Sequence, residues 1–456
     1  MTAAASPADG WRGEFPAIAR HAVTVLAGQL AVMAFGVTDT VMAGRHSETS
    51  LAALSVGSAI FVSVYVALMG VFQALLPVWA EQRGADRPQD VGRSVRQSLY
   101  LWLVLSLLGM AVLSSPGPLL RWASVPLALQ AEVGRYLGVL AWALPAALLF
   151  RIFSTLNQSL GHPRLVTWLQ IGSLGLKIPL SAWFALGGPG VAPMGAVGCA
   201  VATLLVHQVM LVIAVCLVRS QARYRPYALW QPLERPDGAQ LKLFLRLGVP
   251  AGMAILVEVT SFTLMALFIA RQGTLPTAGH QIATSIAALL YMVPLSLGIA
   301  ASARVGYWLG AGAAARARMA VSAGFVLLAL SASTLAAIIF IARGVLPGFY
   351  TGNPAVATVA SGLLAWVAVY HLADALQCFC VFVLRCYRIT FSALAVYGVM
   401  LWGVGLGGGY ALAYRGVAGM AAQPAPETFW MSSAAALWVT AAVFVVMVRW
   451  AVRRRT

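Results

Sequence analysis

The sequence predicts an all-α polytopic membrane protein, with about twelve transmembrane helices in two pseudo-symmetric six-helix lobes around a central cleft. Three observations predict it. Of the 456 residues, 61% are hydrophobic and only 9% are charged, against about 25% charged in soluble domains. The apolar runs are continuous and mostly longer than the roughly 20 residues that cross a hydrocarbon core. The most polar stretch, SQARYRPYALWQPLERPDGA at 220–239, divides six such runs from six more. The mean hydropathy of +0.84 excludes a soluble core, which would need an interior larger than single domains form. A transmembrane β-barrel would show short alternating strands. Helices satisfy their own backbone hydrogen bonds in lipid, so every span should be one.

Apolar runs between Gly, Pro and charged punctuation set the spans in order. The first two are 19–44, after Pro16, and 51–80, which runs out into EQRGAD. Spans 94–114, 131–160, 163–186 and 191–219 complete the first lobe, 16–219. The linker 220–239 follows. The second lobe, 240–456, holds 240–269, 276–309 (ending in LGAGAAARAR), 318–342, 355–388, 391–413 and 429–450. Runs longer than the bilayer should tilt, bend or project. LAGQLAVMAFGVTDTVMAG in the first span echoes PAGMAILVEVTSFTLMALF in the seventh. An even number of spans per half brings both halves in from the same side, which predicts an axis along the membrane normal.

Basic residues orient the chain. If both termini are cytoplasmic, 22 of the 30 Lys and Arg fall on the cytoplasmic side and 6 opposite, as the positive-inside rule requires. Arg151 and Lys177 remain within spans. The net charge of +17 thus reports topology, and no nucleic-acid partner is expected. The N-terminal MTAAASPADGWRGEFPAIARHAV carries two acids and lacks the layout of a removable signal. The five cysteines lie in or beside apolar segments. They read as small core residues, without disulfides.

The acids carry the functional signal. Of 13 acidic residues, only Asp39, Glu258 and Asp374 fall within spans. Each costs about 2.5–3.5 kcal/mol at a helix centre, and such a cost marks an ion or proton site. Tyr370, four residues before Asp374, and Gln377, three after, share its helix face. His371 and Cys378 border that face, and the eighth span supplies His280 and Gln281. Carboxylate, amide and phenol oxygens suit a hard cation such as sodium, with Glu258 and Asp374 as its ligands. Two carboxylates held together can also carry a proton. A transition-metal site from His371, Asp374 and Cys378 lacks a supporting second cluster. In the first lobe, the counter-charge of Asp39 is Lys177, since an unpaired lysine there would be costly. Arg151 is the alternative partner, nearer the cytoplasmic end and able to snorkel.

The stretches GVTDTVMAGRHSETSLAAL, GAVGCAVAT, FLRLGVPAGMAILVEVTSF, AGHQIATSI, YMVPLSLGIAASARVGYWLGAG and DALQCFCVFVLRCYR resemble the multidrug and toxic compound extrusion (MATE) family, nearest its bacterial NorM-like branch. The resemblance runs from about residue 15 to 450, in order and in both lobes. It implies export of cationic, amphipathic organic compounds across a bacterial inner membrane, driven by inward sodium ions or protons, with no other cofactor. It implies coupling roles for Asp39, Glu258, Gln281, Asp374 and Tyr370. Two departures stand out. The family's fifth-span pattern reads roughly N-I-P-L-N, and here KIPLS puts Lys177 and Ser181 in place of both asparagines. Cys386 stands where glycine is usual. A lysine beside Asp39 repels a metal cation. Lys177 is therefore expected to pair with Asp39, leaving coupling to Glu258 and Asp374.

The expected partners are small organic cations and membrane lipids, and the expected state is a monomer. Phe35, one turn before Asp39, is the best aromatic candidate for the substrate cavity, with Gln377 and His371 as weaker ones. The alternative function is a lipid-linked precursor flippase of the same superfamily, which would need several cavity cations to hold pyrophosphate. No H-E-x-x-H pair or G-x-S-x-G elbow points to an enzyme.

Overall fold

The computed structural model describes residues 7–122, 125–416 and 421–454. Among them, twelve helices are long and apolar enough to cross a membrane, as the run lengths predict. They are α1 Pro7–His46, α2 Glu48–Gly84, α3 Pro88–Ser114, α4 Leu127–Ser159, α5 Pro163–Leu186 and α6 Gly195–Ser220. After the linker come α7 Gly238–Ala270, α8 Thr274–Gly310, α9 Ala314–Ala342, α10 Pro354–Cys386, α11 Phe391–Tyr414 and α12 Pro426–Arg454.

Local chemistry sets the helix starts. Ser47 caps α2 by accepting from Ser50 N at 3.0 Å, and Asn353 caps α10 by accepting from Ala355 N at 3.0 Å. Pro88, Pro163 and Pro354 occupy first-turn positions, where no amide donor is needed. α2 breaks after Gln73 and resumes at Leu76, because Pro77 has no N–H to bond the Gln73 carbonyl. α11 contains a ten-residue π-helical stretch, Gly398–Gly407, in a glycine-rich run. Ser432 Oγ donates to its Val404 carbonyl at 2.8 Å. α1 starts well ahead of residue 19, since its polar leading turns also wind as helix. There Glu14 is buried and accepts from Arg304 Nε at 2.9 Å and Trp308 Nε1 at 2.8 Å.

The sequence divides at the linker. Packing groups the chain into an N-unit, Ala27–Gly252, and a C-unit, Met1–Leu26 with Met253–Thr456; residues 455–456 of the second lobe lie outside the described residues. The divisions fall inside α1 and α7, helices of 40 and 33 residues, each long enough for two sets of neighbours.

In the N-unit, α4 is central: 72% of its apolar window is buried, under α2, α3 and α6. α5 and α6 approach so closely at Gly198 that a Cβ would lie 2.4 Å from the Phe184 carbonyl. Small residues make such contacts where lipid gives no hydrophobic drive. The linker straps onto α3. Arg96 pairs with Glu234, Arg93 Nη2 lies 3.2 Å from Asp237 Oδ2, and Tyr100 donates to the Glu234 carbonyl at 2.7 Å. In the C-unit, α10 is central, with 83% of its window buried among α8, α9 and α12.

Candidate functional site

Among the described residues, the N-unit holds one ion pair with both partners buried. Asp39 on α1 is 9% exposed and Lys177 on α5 is fully buried. Lys177 Nζ lies 2.7 Å from Asp39 Oδ1. It also donates to Cys199 O at 3.0 Å and Thr203 Oγ1 at 2.6 Å, both on α6. An ammonium has three N–H donors, and three acceptors meet them here. Ser181 Oγ, one turn after Lys177, donates to Asp39 Oδ1 at 3.2 Å. The two departing positions on the fifth span, Lys177 and Ser181, therefore both contact Asp39. Phe35, the cavity candidate, is half-buried and meets His207 edge to face at 6.5 Å. Arg151 does not snorkel: it lies on the central α4, 8% exposed, with Nη2 against Met69 Sδ.

The C-unit holds the other two intramembrane acids. Asp374, on α10, is 4% exposed. Gln377 Nε2 donates to its Oδ1 at 3.0 Å. The Gln377 carbonyl oxygen is buried and makes no hydrogen bond among the described residues. Glu258, on α7, is half-buried, and its carboxylate interacts electrostatically with Asp374. Trp402 Nε1, from the π-helical stretch of α11, donates to Val257 O at 3.2 Å and so fixes α7 one residue before Glu258. Two carboxylates and an unused amide oxygen form an oxygen-rich set. That chemistry fits a hard monovalent cation, or a proton held on a carboxylate. Among the described residues, no group of three His, Cys, Asp or Glu side chains is placed to hold a metal ion.

An aromatic wall adjoins this set. Tyr370, one turn before Asp374, meets Phe262 of α7 at 5.8 Å and Trp430 of α12 at 5.5 Å, both edge to face. Trp430 Nε1 lies 3.2 Å from His280 Nδ1. An indole N–H only donates, so His280 accepts there and carries its proton on Nε2. A cavity of about 10 Å³ is lined by Ser261, Phe262, Tyr370, Leu401 and Gly405, among others. That is room for about one water.

The structure thus joins Asp374 with Gln377, Tyr370 and Glu258, and joins Asp39 with Lys177. Gln281 is exposed, whereas its neighbour His280 is 1% exposed. The Gln281 side chain makes no hydrogen bond among the described residues, while its backbone carbonyl accepts from the Thr284 and Ser285 hydroxyls. His371 is buried, and its Nε2 has no partner among the described residues. Sequence reasoning did not single out Trp430, which packs on Tyr370, or Arg385, buried near the end of α10. Arg385 counted as a cytoplasmic charge near a helix end, yet it is 4% exposed. Its spacing of eleven residues from Asp374, close to three full turns, was the available signal.

Known proteins supply an independent comparison. The MatE family model matches residues 25–183 and 250–411. A probable multidrug resistance protein NorM of Aromatoleum aromaticum is 36% identical over 437 residues, spanning 95% of this chain and 94% of that protein. The multidrug resistance protein MdtK of Pectobacterium atrosepticum is 33% identical over 436 residues, with the same shares. The fold matches the crystal structure of the eukaryotic MATE transporter AtDTX14 with a TM-score of 0.86 at 20% identity, covering 98% of this chain and 100% of that one. It also matches the Vibrio cholerae MATE transporter VcmN in the bent form, at 0.84 and 17%, covering 98% and 99%. The match spans both halves of the sequence, and the chain belongs to the MatE family.

Proposed function

We infer that this protein exports cationic, amphipathic organic compounds from a bacterial cell by antiport against sodium ions or protons. It does so by alternating access, as a multi-pass inner-membrane protein with both termini in the cytoplasm. The relatives named above are multidrug resistance proteins, which supports the substrate class. The coupling ion is carried by Glu258 and Asp374. Gln377 orients Asp374 and also offers its carbonyl oxygen to the ion, with Tyr370 one turn before Asp374 on the same helix face.

One observation carries this reading. Asp374 is buried, and its hydrogen-bond partner is a neutral amide rather than a base, so its charge is met by something that arrives and leaves. Asp39, by contrast, has Lys177 as its resident partner and takes no direct part in coupling. Purified protein in liposomes tests this, with dye efflux driven by sodium and proton gradients imposed separately. Glu258→Gln and Asp374→Asn should each abolish gradient-driven efflux, and Asp39→Asn should retain ion dependence. Full coupling in both C-unit variants would sink the reading.

A further inference from the structure

The charges of the linker 220–239 sort by sign. Its only acids, Glu234 and Asp237, are taken up within the N-unit. Glu234 pairs with Arg96 of α3. Asp237 Oδ2 lies 3.2 Å from Arg93 Nη2, and its Oδ1 accepts from Ala239 N at 3.0 Å in the first turn of α7. The linker's arginines do the opposite. Arg223, Arg225 and Arg235 are exposed, as is Arg219 in the last turn of α6. None of the four makes an ion pair among the described residues. Like charges gathered on one surface repel, and an anionic partner relieves that repulsion.

The segment that carries them is fixed. Ala222–Tyr227 winds as a 3-10 helix. Its Tyr224 is buried and donates to Asn157 Oδ1 of α4 at 2.7 Å. Arg96 donates to the Ala228 carbonyl, and Gln97 Nε2 donates to the Arg235 carbonyl at 3.0 Å. Two large apolar side chains, Trp230 and Leu233, stand exposed on the same segment. The Arg219 guanidinium lies 5.7 Å over the Trp230 ring, a cation–π contact.

Position selects the partner. α6 ends at Ser220 and α7 begins at Gly238. Both cross the membrane, so the segment joining them lies at its surface, where tryptophan is favoured. A soluble polyanion would meet the arginines alone. A lipid surface meets the arginines and the apolar side chains together. We propose that the linker is a docking surface for anionic phospholipids, with Arg219, Arg223, Arg225 and Arg235 on the phosphate headgroups and Trp230 and Leu233 in the interfacial layer. This rests on the membrane placement of α6 and α7 and not on the coupling role of Glu258 and Asp374.

Native mass spectrometry of the detergent-solubilised chain tests it, with phosphatidylglycerol and phosphatidylcholine of identical acyl chains titrated separately. Each arginine near an anionic surface strengthens attraction about fivefold. The parent chain should therefore bind phosphatidylglycerol about tenfold or more tighter than phosphatidylcholine. Arg223→Gln with Arg225→Gln should erase most of that preference and leave phosphatidylcholine binding unchanged. Arg318→Gln with Arg449→Gln removes the same charge from exposed positions of the C-unit, and should keep the preference within about twofold. Trp230→Ala should weaken both lipids alike. A parent chain without the preference overturns the proposal and needs no substitution. So does a C-unit double variant that loses as much as the linker one, since net charge would then suffice. Displacement of phosphatidylglycerol by an equal concentration of inorganic phosphate, or unchanged binding of both lipids to Trp230→Ala, also overturns it.

Discussion

Gln377 Nε2 donates to Asp374 Oδ1 at 3.0 Å, while its own carbonyl oxygen stays buried without a hydrogen bond among the described residues. One amide therefore both holds the carboxylate and leaves an acceptor beside it. Gln377→Leu removes both. A hydrogen bond to a charged group contributes about 1.5–3 kcal/mol. The half-saturating concentration of the coupling ion should accordingly shift by about tenfold or more, read as dye efflux against ion concentration. An unchanged ion dependence would show that Gln377 only packs.

The Asp39–Lys177 pair makes a stability prediction. Removing one partner of a buried pair costs about 3–5 kcal/mol, whereas replacing both can be nearly neutral. Asp39→Asn should therefore lower the thermal midpoint in detergent sharply. Adding Lys177→Met to it should recover most of the loss. A double variant less stable than Asp39→Asn would show that the lysine's bonds to Cys199 O and Thr203 Oγ1 matter more than its charge partner.

The linker strap predicts a pH dependence. The Arg96 guanidinium, hydrogen-bonded to Glu234, holds that carboxyl below its ordinary 4.5. A carboxyl depressed by folding stabilises the fold above its unfolded value, and that contribution fades as pH falls through the folded one. The thermal midpoint should decline on acidification below about pH 4.5. Arg96→Met should flatten that part of the curve. The same acid limb in both proteins would exclude this pair as its source.

Close packing of α5 on α6 is testable without touching a charge. At Gly198 an added Cβ would meet the Phe184 backbone, which cannot swing aside as a side chain can. Gly198→Ala should cost about 1–3 kcal/mol of stability, as overpacking does. A thermal midpoint equal to the parent's would mean that the helices separate easily there.

Much of this architecture was legible in the sequence. Twelve apolar runs gave twelve helices, because in lipid a run of that length has few other ways to satisfy its backbone. Asp39, Lys177 and Asp374 stood out because a charge inside such a run has no route to water. Helix rotation was less legible. Gln281 and His280 are adjacent, and about 100° of helical turn separates the exposed from the buried one. No periodicity marked that choice on α8, where polar residues are sparse. Arg385 was hidden by its place near a helix end, where a charge ordinarily reaches water. The break after Gln73 and the π-helical stretch of α11 depend on single missing or displaced backbone bonds, which an apolar pattern does not record.

Lys177 has a further consequence, in terms of concentration. A dissolved counter-ion meets Asp39 as often as its abundance in the bath allows. Lys177 is attached to the same chain and held on α5, so its local concentration at that carboxylate does not change with dilution. Tethering of this kind makes an interaction insensitive to the surrounding medium. The counter-charge of Asp39 therefore stays in place in a sodium-poor medium as in a sodium-rich one.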